Sequence, residues 1–135
     1  MISFGGRLVE LEPPECFELL SREKVGRVVY FDEVGPVALP VNFAVQDQTV
    51  VLRTSPHGAL AGHLRESPRC AFEVDDVDAA QQTGWSVLVR GSAAWVRHPG
   101  SGADVAGLRP WPEGTRPLLI RITPVAISGR RLLPP

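Results

Sequence analysis

Arg53, Thr54 and Ser55 stand together at the end of an apolar run that starts at Thr49, and Pro56, His57 and Gly58 follow at once. A guanidinium beside two hydroxyls can grip several oxygens of one anion. A Gly-containing bend adds backbone N–H groups that point the same way. An apolar stretch begins again at Leu60, so the bend is expected to open a helix, whose first N–H groups have no intrahelical partner. The chemistry these residues could do is anion binding, of phosphate above all.

Other chemistries have weaker carriers. His57 and His63 share one segment and His98 lies in another, which does not gather the three or four converging ligands that zinc needs. No Cys–His or Ser–His–Asp arrangement is readable from spacing, and no side chain is an obvious general acid or base. Glu73, Asp75, Asp76 and Asp78 read as a solvated strand end and loop. Asn42 sits in an apolar stretch, and a buried amide there needs partners, from a ligand edge or from backbone. Arg130 and Arg131 read as surface charges near the last strand.

The elements that must position the anion set come from the rest of the chain. At 135 residues with 44% hydrophobic composition, one domain with a real core is expected over 1–135. The 14 basic and 15 acidic residues leave a net charge of −1, so no nucleic-acid footprint is expected. No apolar run reaches the roughly 18 residues of a membrane span, and the N-terminus has no signal-peptide pattern. Cys16 and Cys70 fall in different elements and are expected as buried free thiols, which points to the cytoplasm.

In chain order, residues 1–12 form a lead-in that pairs loosely with a sheet edge. Pro13 and Pro14 open a short helix with Cys16, Phe17, Leu19 and Leu20 on its apolar face. Strands are expected over Val25 to Asp32, Val37 to Val45, Thr49 to Thr54, Arg69 to Asp75, Gly84 to Arg97 and Pro117 to Ile127. Pro40 must sit at an edge, a bulge or a surface open to something other than a strand. Gly91 marks a bend or bulge, and Pro124 is expected to break the last strand. A helix is expected over His57 to Glu66, and one helical turn around Ala103 to Leu108. About six strands with tight links and two or three short helices give a mainly β chain, best closed as a small antiparallel barrel over 13–132.

The segments "VGRVVYFD", "PVALPVNFAV", "VVLRTSPHGAL", "CAFEVDDVD", "GWSVLVRGSAAWV" and "LIRITPVAISGRRL" resemble the pyridoxamine 5′-phosphate oxidase-like group of FMN-binding split barrels, from about Cys16 to Leu132. The resemblance implies a split β-barrel homodimer with FMN in two grooves at the subunit interface, and a flavin-dependent oxidoreductase acting on a small molecule. It does not imply the vitamin oxidase reaction. It implies that Leu39, Pro40, Val41, Asn42 and Phe43 run along the flavin ring, and that Arg53, Thr54 and Ser55 begin a phosphate site which the turn from His57 to Leu60 completes. Trp85 and Ser86 would approach the partner's flavin. Relatives commonly carry a lysine where this chain has Ala59, and an ion-pair hydrogen bond is worth roughly 1.5–3 kcal/mol, so its absence would weaken FMN about tenfold to a hundredfold. That departure keeps open a deazaflavin coenzyme or haem in the same groove, or a non-catalytic dimeric binding module. The tryptophan and arginine that hold the substrate phosphate in true pyridoxamine phosphate oxidases have no match here.

Overall fold

The structure is a computed structural model and describes residues 5–96, 108 and 117–135. Among these residues, eight strands and two helices run in the order β1 (Arg7–Leu11), α1 (Pro13–Ser21), β2 (Val25–Phe31), β3 (Pro36–Asn42), β4 (Ala44–Gln46), β5 (Thr49–Thr54), α2 (Ala59–Glu66), β6 (Arg69–Asp78), β7 (Thr83–Val96) and β8 (Leu118–Leu133). All strand pairs are antiparallel, in the spatial order β3-β2-β6-β7-β8-β5-β4, with β1 also on β8. β3 and β4 are therefore the two ends of the sheet, yet Phe43 alone joins them in the chain. The sheet has to curl until its ends meet, which makes a barrel split at that seam.

Alternation decides what fills the barrel. Val28 and Tyr30 of β2, Phe72 and Val74 of β6, and Val87 and Val89 of β7 all turn inward, while their neighbours face out. Val50 and Leu52 of β5 and Ile120 and Ile122 of β8 join them. Helix α1 buries Cys16, Leu19 and Leu20 and α2 buries Leu60, Ala61 and Leu64 against the same core. Trp95 on β7 donates its indole N–H to the Ala61 carbonyl at 3.1 Å, which fastens α2 to the sheet. Arg121 on β8 reaches Thr49 Oγ1 at 2.7 Å and Gln46 Oε1 at 3.0 Å, which fastens the β4–β5 hairpin.

Four expectations need adjusting. The sheet has eight strands, not about six, because part of the lead-in pairs with β8 as β1 and because Phe43 turns inward and divides the strand expected over Val37 to Val45. Pro124 does not end the last strand. It lies opposite Gly91, where the register slips by one residue, so the missing N–H falls at a bulge and β8 continues through Arg130 and Arg131. The acidic run belongs to a strand as far as Asp78 rather than to a loop from Asp76. Helix α2 begins at Ala59 rather than His57. The helical turn expected around Ala103 to Leu108 lies outside the described residues, apart from Leu108. Pro40 sits on a terminal strand, where a proline is tolerated. Cys16 is buried and Cys70 half-buried, both as free thiols.

Candidate functional site

A cleft of about 520 Å³ opens at the split, lined on one side by Leu39 to Asn42 of β3 and on the other by Arg53, Thr54 and Ser55. Gly58, Ala59 and Leu60 close one end and Tyr30 lies at its floor. The local sequence explains the end beside β5. β5 stops after Thr54 because Pro56 cannot continue a ladder. The turn is held by Gly58 N–H donating to the Ser55 carbonyl at 3.1 Å and by His57 N–H donating to Ser55 Oγ at 3.4 Å. Gly58 then caps α2 in an extended conformation with no side-chain cap bond, so the first N–H groups of the helix are not taken by a side chain.

Thr54 is the decisive group. It is 7% exposed, the one buried polar residue among the described residues, and its hydroxyl has no hydrogen-bond partner among them. A buried hydroxyl left unpaired costs roughly 1–3 kcal/mol, and an anion in the cleft would supply the acceptor it lacks.

Leu39, Pro40, Val41, Asn42, Arg53, Thr54, Ser55 and Leu60, all expected from the sequence, line this one cleft. Asn42 is half-buried and donates to the Lys24 carbonyl at 3.4 Å, so backbone serves as at least one of the partners its amide requires. Phe43 is not at the cleft. It is 1% exposed and its ring meets Phe72 edge-on, with centroids 4.9 Å apart. His57 does not line the cleft either. Trp85 and Ser86 line two other clefts of the chain, Trp85 beside Asp76 and Arg131, Ser86 beside Glu73 and Arg130. At the latter, Arg27 bridges Glu73 and Asp75 at 3.0 Å each, and burial, followed by Asp75, pushes the Glu73 carboxyl up to about 7.

Tyr30 was not foreseen. It is 6% exposed, and burial followed by Asp32 pushes its phenol up, so it is a neutral donor at the cleft floor. The alternation of Gly26, Val28 and Tyr30 on the inner face of β2 was the available signal. Behind it lies His63, ring centroids 5.9 Å apart. His63 Nδ1 meets the Ala59 carbonyl at 2.7 Å and Nε2 meets Glu33 Oε1 at 3.1 Å. Two acceptors favour the imidazolium, and they raise the histidine's pKa, the carbonyl foremost. Among the described residues, no group of three or more His, Cys, Asp or Glu is placed to hold a metal ion, and no helix is long and apolar enough to cross a membrane.

A curled antiparallel sheet whose two ends meet at a seam, with a cleft there, defines a split β-barrel. The profile of the family described as pyridoxamine 5′-phosphate oxidase matches residues 12–131, and the chain belongs to that family. It is 34% identical to the uncharacterised Mycobacterium tuberculosis protein Rv0080 over 131 residues, covering 93% of this chain and 86% of that one. Among solved structures it is similar to an FAD-binding protein from Mycobacterium smegmatis, at 32% identity, with 93% of this chain and 98% of that chain covered and a TM-score of 0.69. An FAD-binding protein from Mesorhizobium loti shares the fold at 22% identity, with 95% and 98% covered and a TM-score of 0.77.

Proposed function

We propose that the chain is a flavin-binding oxidoreductase that holds FMN along the seam of the barrel. The observation that carries this reading is the unpaired, buried hydroxyl of Thr54 in a cleft shared with Arg53, Ser55 and the uncapped start of α2. That donor set fits a phosphate, which accepts and does not donate when ionised. The opposite wall fits a flat ring, since β3 is a sheet edge and Pro40 presents no N–H there. When bound, the flavin supplies the electron and hydride chemistry. Arg53, Thr54, Ser55 and the α2 N–H groups would hold the phosphate, Leu39 to Asn42 would orient the ring, and Tyr30 and Leu60 would keep water from the floor. The FAD-binding relative from M. smegmatis supports a flavin as the ligand class. Ala59 brings no cation to the phosphate end, which keeps FAD, a deazaflavin coenzyme and haem as competing occupants.

The reading includes a cytoplasmic homodimer. Leu8 and Val77 stand exposed in one register row through Leu132 and Gly84, next to Trp85 and Ser86. A second copy seated there would cover them and bring Trp85 and Ser86 toward the other cleft. The test is the visible spectrum of the freshly purified protein, followed by titration with FMN, FAD, a deazaflavin coenzyme and haemin. FMN saturation at one per chain is expected. No binding of FMN even at high micromolar concentration removes the reading. Light scattering should give a dimer at micromolar concentration.

A further inference from the structure

The outer face of the sheet carries a second concavity, of about 710 Å³, whose lining differs in kind from the cleft at the seam. Val28, Phe72 and Val89 form a buried row across β2, β6 and β7, so the adjacent row Val29, Ala71, Arg90 and Ala126 faces outward. Arg69 is on the same face, opposite Ser92 and diagonal to Arg90, which places the two Cα atoms roughly 7–8 Å apart. Phe31 and Val125, 65% and 85% exposed, flank them. Among the described residues, no carboxylate lines the concavity, and neither arginine makes an ion pair or side-chain hydrogen bond. Glu73, the next outward-facing residue of β6 after Ala71, is engaged by Arg27.

The hollow is shaped by the bulge. At Gly91 the register of β7 against β8 slips, Val125 is the extra residue, and it is pushed outward. Only glycine fits, because a Cβ at position 91 would lie 2.2 Å from the Thr123 carbonyl oxygen. Bulges of this kind re-aim side chains beside binding sites. Two neighbouring cations without counter-ions repel one another, and large apolar side chains beside them stay wet, so one ligand chemistry relieves both at once.

We propose that this concavity binds an amphipathic organic anion, its acidic group between Arg69 and Arg90 and its apolar body along Val29, Phe31 and Val125. The site is independent of the flavin cleft. The probe is 1-anilinonaphthalene-8-sulfonate, followed by its fluorescence. Saturable binding at one per chain is expected, unaltered by added FMN, and reduced at least tenfold in the Arg69→Gln/Arg90→Gln protein. N-phenyl-1-naphthylamine, which lacks the sulfonate, should bind more weakly and equally to both proteins. A readout on the unaltered protein guards against a folding defect in the variant. Arg69 and Arg90 line the concavity on its outer face, so the probe should slow modification of these two arginines by phenylglyoxal, read by peptide mass mapping. Equal probe affinity with and without the arginines, or no protection of Arg69 and Arg90, overturns the proposal. So does a Val125→Glu substitution that converts a dimer to a monomer, because a second copy then covers this face.

Discussion

The imidazole of His63 on α2 reaches the turn that leads into β3, with Nε2 3.1 Å from Glu33 Oε1. The pair ties together the two elements that wall the cleft, and its strength depends on pH. His63 titrates above its ordinary 6.5, so its contribution is complete below that value and is lost as pH rises through the folded value. Glu33 is lowered from 4.5, by its own backbone hydrogen bond and then by His63, so its contribution is present above 4.5 and lost as pH falls through the lowered value. Glu33→Gln should therefore melt lower than the unaltered protein in mildly acidic buffer, and the two should converge at alkaline pH. Thermal melts across pH check this, and a constant offset would show that the pair does not act through charge.

The β4–β5 turn carries a second testable strain. Asp47 and Gln48 have φ of 52° and 59°, the pairing a two-residue hairpin turn requires. Left-handed backbone costs an ordinary residue roughly 1–2 kcal/mol. Gln48→Gly should raise unfolding stability by about 1 kcal/mol in urea denaturation, and a loss would mean that the Gln48 side chain contributes more than its backbone costs.

Phe43 separates packing from binding. It closes the seam from inside against Phe72. Phe43→Ala should lower stability by about 3–5 kcal/mol, whereas Phe43→Leu should be folded and bind flavin within about threefold of the unaltered protein, a difference below 1 kcal/mol. Denaturation and titration of the Leu variant check both halves, and a loss of flavin affinity without loss of stability would return Phe43 to the site.

Much of this was legible in the sequence, for physical reasons that differ by residue. The end of β5 and the turn after it could be read because Arg, Thr, Ser and a Pro-Gly bend are local signals, and Arg53, Thr54 and Ser55 do line one cleft. Pro40 announced an edge through its missing N–H, and Gly91 announced the bulge. Phe43 misled because an apolar residue at a kink reads the same whether it faces a ligand or the core. Pro124 misled because only its pairing with Gly91 across two strands makes it tolerable in a strand. Tyr30 and the His63–Glu33 tie depend on contacts distant in the chain, which no spacing rule displays.

Thr54→Val tests the orphan hydroxyl directly. Replacing an unpaired buried hydroxyl with a methyl of the same shape should raise the stability of the ligand-free protein by about 1 kcal/mol. It should also weaken FMN about tenfold, because the anion loses a donor. Paired measurements of denaturation and FMN affinity check the opposite signs. If the substitution destabilises the protein, the hydroxyl has a partner within the fold.

The most direct measurement is the affinity of the protein for FMN set beside that for riboflavin, which has the same ring and no phosphate. FMN should bind at least tenfold more tightly, and Arg53→Gln should bring the two affinities together by weakening FMN alone. Equal affinities in the unaltered protein, or a gap that Arg53→Gln leaves intact, would mean that the seam beside β5 does not hold a phosphate.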